Sequence, residues 1–247
     1  MSSDGLNVGQ VFRELAEATL REDAATGTIT SAQYEFALHR YDEGVKIEAY
    51  LQSRYAHAIP ASARILDLGC GNGGILLPFA QQDHFFCTGL ERELRADVRE
   101  VIRGTSVTFN LVAADGDLLP FADNSFDVVL YVETIEHLRN PRRAGSEIVR
   151  VLRPGGLCYI TTPSRVRFLF APDPHYGVPC LLLLPDALQR RVYEWRYRKT
   201  YDVEHLFWSV AGIMHTLPGL QLVEITSRRF AGFLRRFDWD WMIAIKP

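Results

Sequence analysis

A chain of 247 residues, 47% of them hydrophobic, can bury a large core without disulfides or a structural metal. Its net charge of −3 has the wrong sign for bulk binding of nucleic acid. Four dispersed cysteines with no C-x-x-C pair speak against a zinc site or disulfide framework and fit a reducing, cytoplasmic setting.

The N-terminal MSSDGLNVGQ has no charged-then-apolar leader pattern. Residues 8–25 and 32–58 follow with helical spacing of apolar side chains, broken at Thr26-Gly27-Thr28. In the second stretch Tyr34, Leu38, Tyr41, Val45, Tyr50 and Tyr55 form a partly aromatic face, readable as packing or as the cover of a pocket. Pro60 closes this part, so residues 1–60 are expected to be a helical cap and residues 61–247 the main domain.

Arg64 to Phe79, RILDLGCGNGGILLPF, reads as a buried strand, a tight glycine turn and a helix from about residue 74 to 82. Gly69-x-Gly71-x-x-Gly74 fits the dinucleotide fingerprint, which alone is a weak signal. Asp67 precedes the turn, and no Lys or Arg lies between Arg64 and Arg92. A carboxylate there repels a phosphate and pairs with an ammonium group. A ligand with adenosine at one end and a cationic amino acid at the other, S-adenosylmethionine, therefore fits better than a nicotinamide dinucleotide.

Phe85 to Leu90 reads as the next strand, ending at Glu91 about 20 residues past the turn, where one carboxylate can accept two ribose hydroxyls. A surface acid paired with Arg92 or Arg95 is the alternative. A charged helix over 93–102, closed by Gly104, leads to strand 107–112 and Asp115-Gly116-Asp117. After Leu119-Pro120-Phe121 and Ser125-Phe126-Asp127 comes strand 128–132, then Glu133, Glu136 and His137. Helix 141–152, the turn Arg153 to Gly156 and strand 157–162 complete the alternation. Strands alternating with helices predict a doubly wound, mostly parallel sheet with ligands at its carboxyl edge.

Asp67 to Gly73, Asp115, the Leu119–Phe121 and Ser125–Asp127 segments, Glu136-His137, Glu147 to Gly156 and Ile160 to Pro163 together resemble a class I S-adenosylmethionine-dependent methyltransferase. The resemblance is to the branch holding the ubiquinone-biosynthesis type and many small-molecule enzymes. It covers roughly 62–163. It implies a Rossmann-like seven-stranded sheet whose last strand is antiparallel, with Leu220 to Thr226 and Trp239 to Ile245 as the final pair. It implies that Asp67, Gly69, Cys70 and Gly71 line the methionine end and that Glu91, beside Arg92, holds the ribose. Asp115 and Gly116 would meet the adenine, and Val132 and Glu133 would face the methyl group. The Gly-Phe usual before the sixth strand is replaced by Pro218-Gly219-Leu220, a departure away from the site.

His137 follows the fourth strand and titrates near neutral pH, which makes it the candidate base for a hydroxyl acceptor; a structural role in a helical turn is the alternative. O-methylation of a phenolic, sugar or lipid-linked small molecule is expected on that basis, with N- or C-methylation or a non-catalytic cofactor-binding role as alternatives. Glu133 and Glu136 are candidate orienters of substrate or of His137. Residues 164–199 are long for a connection and read as an inserted lid, with Asp173, His175 and Tyr176 as candidate substrate contacts and no metal assigned. From Pro163 onward twelve Lys and Arg face eight Asp and Glu. Two basic stretches interleaved with aromatics, 189–199 and 228–236, suggest a solvated face or contact with anionic lipid or a phosphorylated substrate. The sequence does not give the oligomeric state.

Overall fold

The computed structural model describes residues 7–25, 31–94, 96–167, 180–197, 206–227 and 239–247. Helices α1 (Val8–Ala25), α2 (Ser31–Leu38) and α3 (Arg40–Tyr55) precede strand β1 (Arg64–Leu68). Then come α4 (Leu77–Ala80), β2 (Phe86–Glu91), α5 (Ala96–Gly104), β3 (Asn110–Ala113), β4 (Phe126–Val132), α6 (Pro141–Val151) and β5 (Leu152–Thr161). Helices α7 (Asp186–Tyr197) and α8 (Val210–Thr216) and strands β6 (Gln221–Thr226) and β7 (Trp241–Ile245) close the chain. The seven strands form one sheet in the order β3-β2-β1-β4-β5-β7-β6. Six run parallel, and β7 is antiparallel to both its neighbours.

All seven residues of β4 are buried, because helices cover both faces of the sheet. Successive side chains of β4 alternate between two cores. Val129 and Tyr131 pack with Ile148 of α6 and Ile213 of α8. Val128, Leu130 and Val132 pack with Ile47 and Leu51 of α3. The part before residue 60 is therefore divided. Helix α3 is a layer of the main core, while Phe12, Ala16 and Leu38 from α1 and α2 form a smaller cluster on Leu77 and Val101.

The aromatic face of α3 serves packing at its C-terminal end. Tyr50 and Tyr55 donate their hydroxyls to the two carboxylate oxygens of Glu224 on β6, both at 2.6 Å. Tyr50 also packs on Trp241, with ring centroids 4.5 Å apart. Burial, followed by the hydrogen bond to Glu224 and then its charge, pushes Tyr50 up to about 12.

Several boundaries differ from the sequence expectation. The single helix over 32–58 breaks at His39, whose φ and ψ are −91° and 1°. The His39 imidazole Nδ1 lies 2.7 Å from the Glu35 carbonyl, and the Asn72 amide donates to the freed Ala37 carbonyl at 3.0 Å. The glycine turn thus satisfies the end of α2. Helix α4 is confined to Leu77–Ala80, since the chain is still turning at Gly73, with φ +79°. Strand β3 starts at Asn110 rather than 107. Strand β5 begins five residues early: Arg153 to Gly156 is an irregular strand entry, held where the Gly155 amide donates to the Lys246 carbonyl at 2.7 Å.

The Leu119–Phe121 and Ser125–Asp127 segments are fixed by Arg150 at the end of α6. Its guanidinium makes two 2.8 Å bonds to Glu147 and one to Asp123, and donates to the carbonyls of Leu119 and Phe121. Glu147 in turn accepts the Leu119 amide at 2.8 Å. Replacing Arg150 by Ala strands two carbonyls and a carboxylate, and should cost about 3 kcal/mol of stability. Urea denaturation measures this; an unchanged midpoint would mean that the network adds no net stability.

Candidate functional site

Strand order reverses between β1 and β4, and their carboxyl ends open a crevice of the kind that binds ligands in α/β sheets. The turn after β1 takes left-handed φ values at Gly69 (+77°) and Gly71 (+51°), which glycine adopts without a side-chain penalty. A Cβ at Gly69 would lie 2.5 Å from the Thr134 hydroxyl oxygen. That hydroxyl sits 2.9 Å from the Leu68 carbonyl and 3.0 Å from that of Val132, so it ties the ends of β1 and β4 together. The amides of Gly69 and Cys70 both donate to the Leu90 carbonyl, which brings the end of β2 beside the turn. Cys70 is buried, and burial keeps its thiol protonated.

Two adjoining clefts occupy this edge. The larger, about 490 Å³, is lined by Gly69 to Asn72, Glu91, Val132 and Glu133, and on its outer side by Ala16, Leu20, Phe36 and Arg40. The smaller, about 240 Å³, is lined by Asp115, Gly116, Thr134, His137 and Leu138. Gly69, Glu91, Arg92 and Glu133 border both, so the two form one trough. Its volume lies in the range of small-molecule sites.

Glu91 is held at the end of β2. It accepts the Gly71 amide at 3.1 Å on one oxygen and the Arg92 amide at 2.9 Å on the other. Asp115 accepts the Asp117 amide at 3.0 Å, a local turn that fixes its carboxylate at the rim of the smaller cleft.

Asp67 is buried, and its Oδ2 has no hydrogen-bond partner. Burial raises its carboxyl to about 7, opposed by the Arg40 charge and reinforced by Glu91 and Glu43. A buried carboxylate oxygen left unpaired is costly. A cationic ligand group relieves that cost, so the residues present fit an ammonium.

Glu133 has φ +49°, a conformation disfavoured for a non-glycine residue and worth of order 1–3 kcal/mol of strain. Its amide donates to the Thr161 carbonyl and hydroxyl oxygens, both at 3.1 Å. Glu136 is fully buried and accepts the Thr162 hydroxyl at 3.0 Å. Burial raises both carboxyls, and the charge of Glu133 raises Glu136 further. Each carboxyl makes ionisation of its neighbour harder. Glu136 thus stands behind Glu133 instead of facing a substrate, because its position in the short turn Ile135–His137 points it into the core.

His137 is exposed and lines the smaller cleft beside Asp115 and Gly116. Asp173, His175 and Tyr176 lie outside the described residues. Sequence reading missed Arg40 and Asn72. Arg40 pairs with Glu43 at 2.8 Å and lies over the Phe36 ring at 4.7 Å. One arginine in a charged helix gives no signal of its own; the break at His39 that places it at the trough has no glycine or proline to announce it.

The family model for a methyltransferase domain matches residues 66–160. The chain is 32% identical over 166 residues to a ubiquinone biosynthesis O-methyltransferase of Parvibaculum lavamentivorans, covering 66% of this chain and 60% of that protein. A sterol 4-C-methyltransferase of Caenorhabditis elegans is 33% identical over 124 residues, 46% of this chain and 36% of that protein. The chain spans about half the length of other curated relatives it matches. A crystal structure from Pyrococcus horikoshii superposes with a TM-score of 0.62 at 18% identity, covering 89% of this chain and 95% of that one. That likeness shows a shared fold.

Asp67 makes stability depend on pH. Its carboxyl titrates at about 7 in the fold, against the ordinary 3.8. Between these values the folded state binds more protons than the unfolded one, so ligand-free protein loses stability as pH rises, by at most about 1.4 kcal/mol per unit for this group. Asp67→Asn should flatten the slope between pH 5 and 7, with a residue of the same sign from Glu133 and Glu136. Urea midpoints across this window test it; identical slopes in the two proteins would remove Asp67 as the source.

Proposed function

We propose that this chain, with its methyltransferase domain at residues 66–160, transfers a methyl group from S-adenosylmethionine to a small-molecule acceptor. The observation that carries the reading is the unpartnered buried oxygen of Asp67 beside the glycine turn. It asks for a cation where a dinucleotide would bring a phosphate.

The cofactor supplies an activated methyl group; the protein supplies alignment. Asp67 takes the ammonium, and Gly69, Cys70 and Gly71 form the floor beside it. Each oxygen of Glu91 accepts one amide and keeps lone-pair capacity for a ribose hydroxyl. Asp115 and the Gly116 amide meet the adenine, while Val132 and Glu133 flank the reacting centre. Arg92 borders both clefts at the surface. Arg40 is placed to offset a carboxylate.

The acceptor reading is finer than the family match. We favour a hydroxyl on a phenolic, sugar or lipid-linked compound, with His137 accepting its proton. The ubiquinone-type relative supports oxygen. A carbon acceptor is the second reading, favoured by the position of His137 in the smaller cleft alone and by the sterol-type relative. The mild negative charge supports a small molecule over nucleic acid.

Calorimetric titration should show binding of S-adenosylmethionine and S-adenosylhomocysteine and none of NADH; the reverse pattern would overturn the cofactor. Glu91→Ala should weaken that binding by about ten- to a hundredfold through lost charged hydrogen bonds. His137→Ala should leave cofactor affinity intact and cut turnover by about 10²–10⁴ if it is the base. Wild-type turnover in that variant would favour the carbon reading.

A further inference from the structure

The cofactor, as assigned above, needs only the inner wall of the larger cleft: the glycine turn over Asp67, then Glu91, Val132 and Glu133. The opposite side is built from Ala16 and Leu20 of α1, Phe36 of α2, and Val98 and Val101 of α5. Helices α1 and α5 touch where Leu15 meets Gly104, since a Cβ at Gly104 would collide with the Leu15 side chain. Ala16 and Val101 share a buried cluster just beyond that contact. About one turn further along α1, the cleft lies between Leu20 and Val98. It thus extends past the glycine turn into a slot between two helices.

The uncharged polar groups around this slot are already spent inside the protein. The Thr19 hydroxyl donates to the Leu15 carbonyl at 2.9 Å. The Asn72 side-chain amide donates to the Ala37 carbonyl at 3.0 Å, and its oxygen accepts the Gly74 amide at 3.2 Å. Arg92 and Glu93 also line the cleft, but they are exposed and follow β2, where the ribose is assigned. Phe36 is 48% exposed although it lines the cleft. A sugar moved into the slot would give up hydrogen bonds to water without replacement. An apolar group would gain by leaving water.

We infer that the slot between α1 and α5 seats the apolar body of the acceptor. Its reacting group lies at Val132 and Glu133, which border the same cleft, and the rest of the molecule runs outward past the glycine turn. Leu20, Phe36 and Val98 are then the residues that set acceptor specificity. The inference rests on the methyl-transfer reading under Proposed function and narrows it. The acceptor is a phenol or lipid-linked compound with an extended apolar part, and a free sugar is disfavoured.

The test is calorimetric binding of para-alkylphenols with methyl, propyl, pentyl and heptyl chains to the full chain, with and without saturating S-adenosylhomocysteine. Affinity should rise about fourfold per added methylene, up to the length the slot admits. Leu20→Asp should abolish the rise. Thr19→Phe, which fills the slot without adding charge, should end it at a shorter chain and carries the test if Leu20→Asp does not fold. Leu188→Asp, at an exposed position on α7, should keep the wild-type rise. A wild-type urea midpoint shows that each variant folds. A flat series, or a wild-type rise in folded Leu20→Asp or Thr19→Phe, overturns the proposal. So does a rise lost equally in Leu188→Asp, which puts the alkyl chain elsewhere. Binding of S-adenosylhomocysteine with a flat series would sink the slot and spare the cofactor reading. A rise that Leu20→Asp removes, in a protein that does not bind S-adenosylhomocysteine, would keep the apolar site and overturn its role in methyl transfer.

Discussion

The contact between Gly69 and Thr134 sets the geometry on which the trough depends. No side chain fits between them, so the ends of β1 and β4 stay close at the point where strand order reverses. The inner wall of the trough hangs from this junction. Gly71 reaches across to Glu91, Glu133 turns out of β4 in a left-handed conformation, and the chain continues into the turn that carries His137. A side chain at position 69 would push these groups apart and also require a disfavoured backbone angle.

Around that junction the protein concentrates acid. Asp67 and Glu136 are carboxyls withheld from water and Glu133 is half-buried beside them; each is raised chiefly by burial. Their cost is partly offset by hydroxyls, Thr161 and Thr162, and by the charge of Arg40. The offset is incomplete at Asp67. The site therefore costs the fold stability and is prepared for a cation.

The sheet was legible because parallel strands covered on both sides read as continuous apolar runs. Leu66, Val129 and Ile160 announce their strands without help from alternation. The glycine turn was legible for a different reason, since three of its residues need backbone angles that other residues avoid. The burial of Glu136 was not legible, because an acid in a helical turn ordinarily faces water and nothing local signals Thr162 waiting in the core. Arg153 to Gly156 was read as a turn, since proline and glycine usually end a strand; here the partner strand β7, some 90 residues on, holds the irregular segment in the sheet. The break at His39 rests on Asn72, again a tertiary partner. In these three cases what escaped the sequence was set by a distant contact.

The clamp of Tyr50 and Tyr55 on Glu224 has a mechanical meaning. Helix α3 is a rod of 16 residues, about 24 Å long at 1.5 Å per residue. Its far end is pinned to the edge of the sheet and its middle is embedded in the core through Ile47 and Leu51. Arg40, at the other end, is therefore a fixed post at the mouth of the trough. Helices α1 and α2 pack on this post as well as joining it at His39, through Arg13 paired with Asp42 at 2.8 Å and Phe36 beneath the Arg40 guanidinium. The clamp at one end of the rod thus holds the outer wall of the trough at the other, where Phe36 and Arg40 face the glycine turn across the cleft.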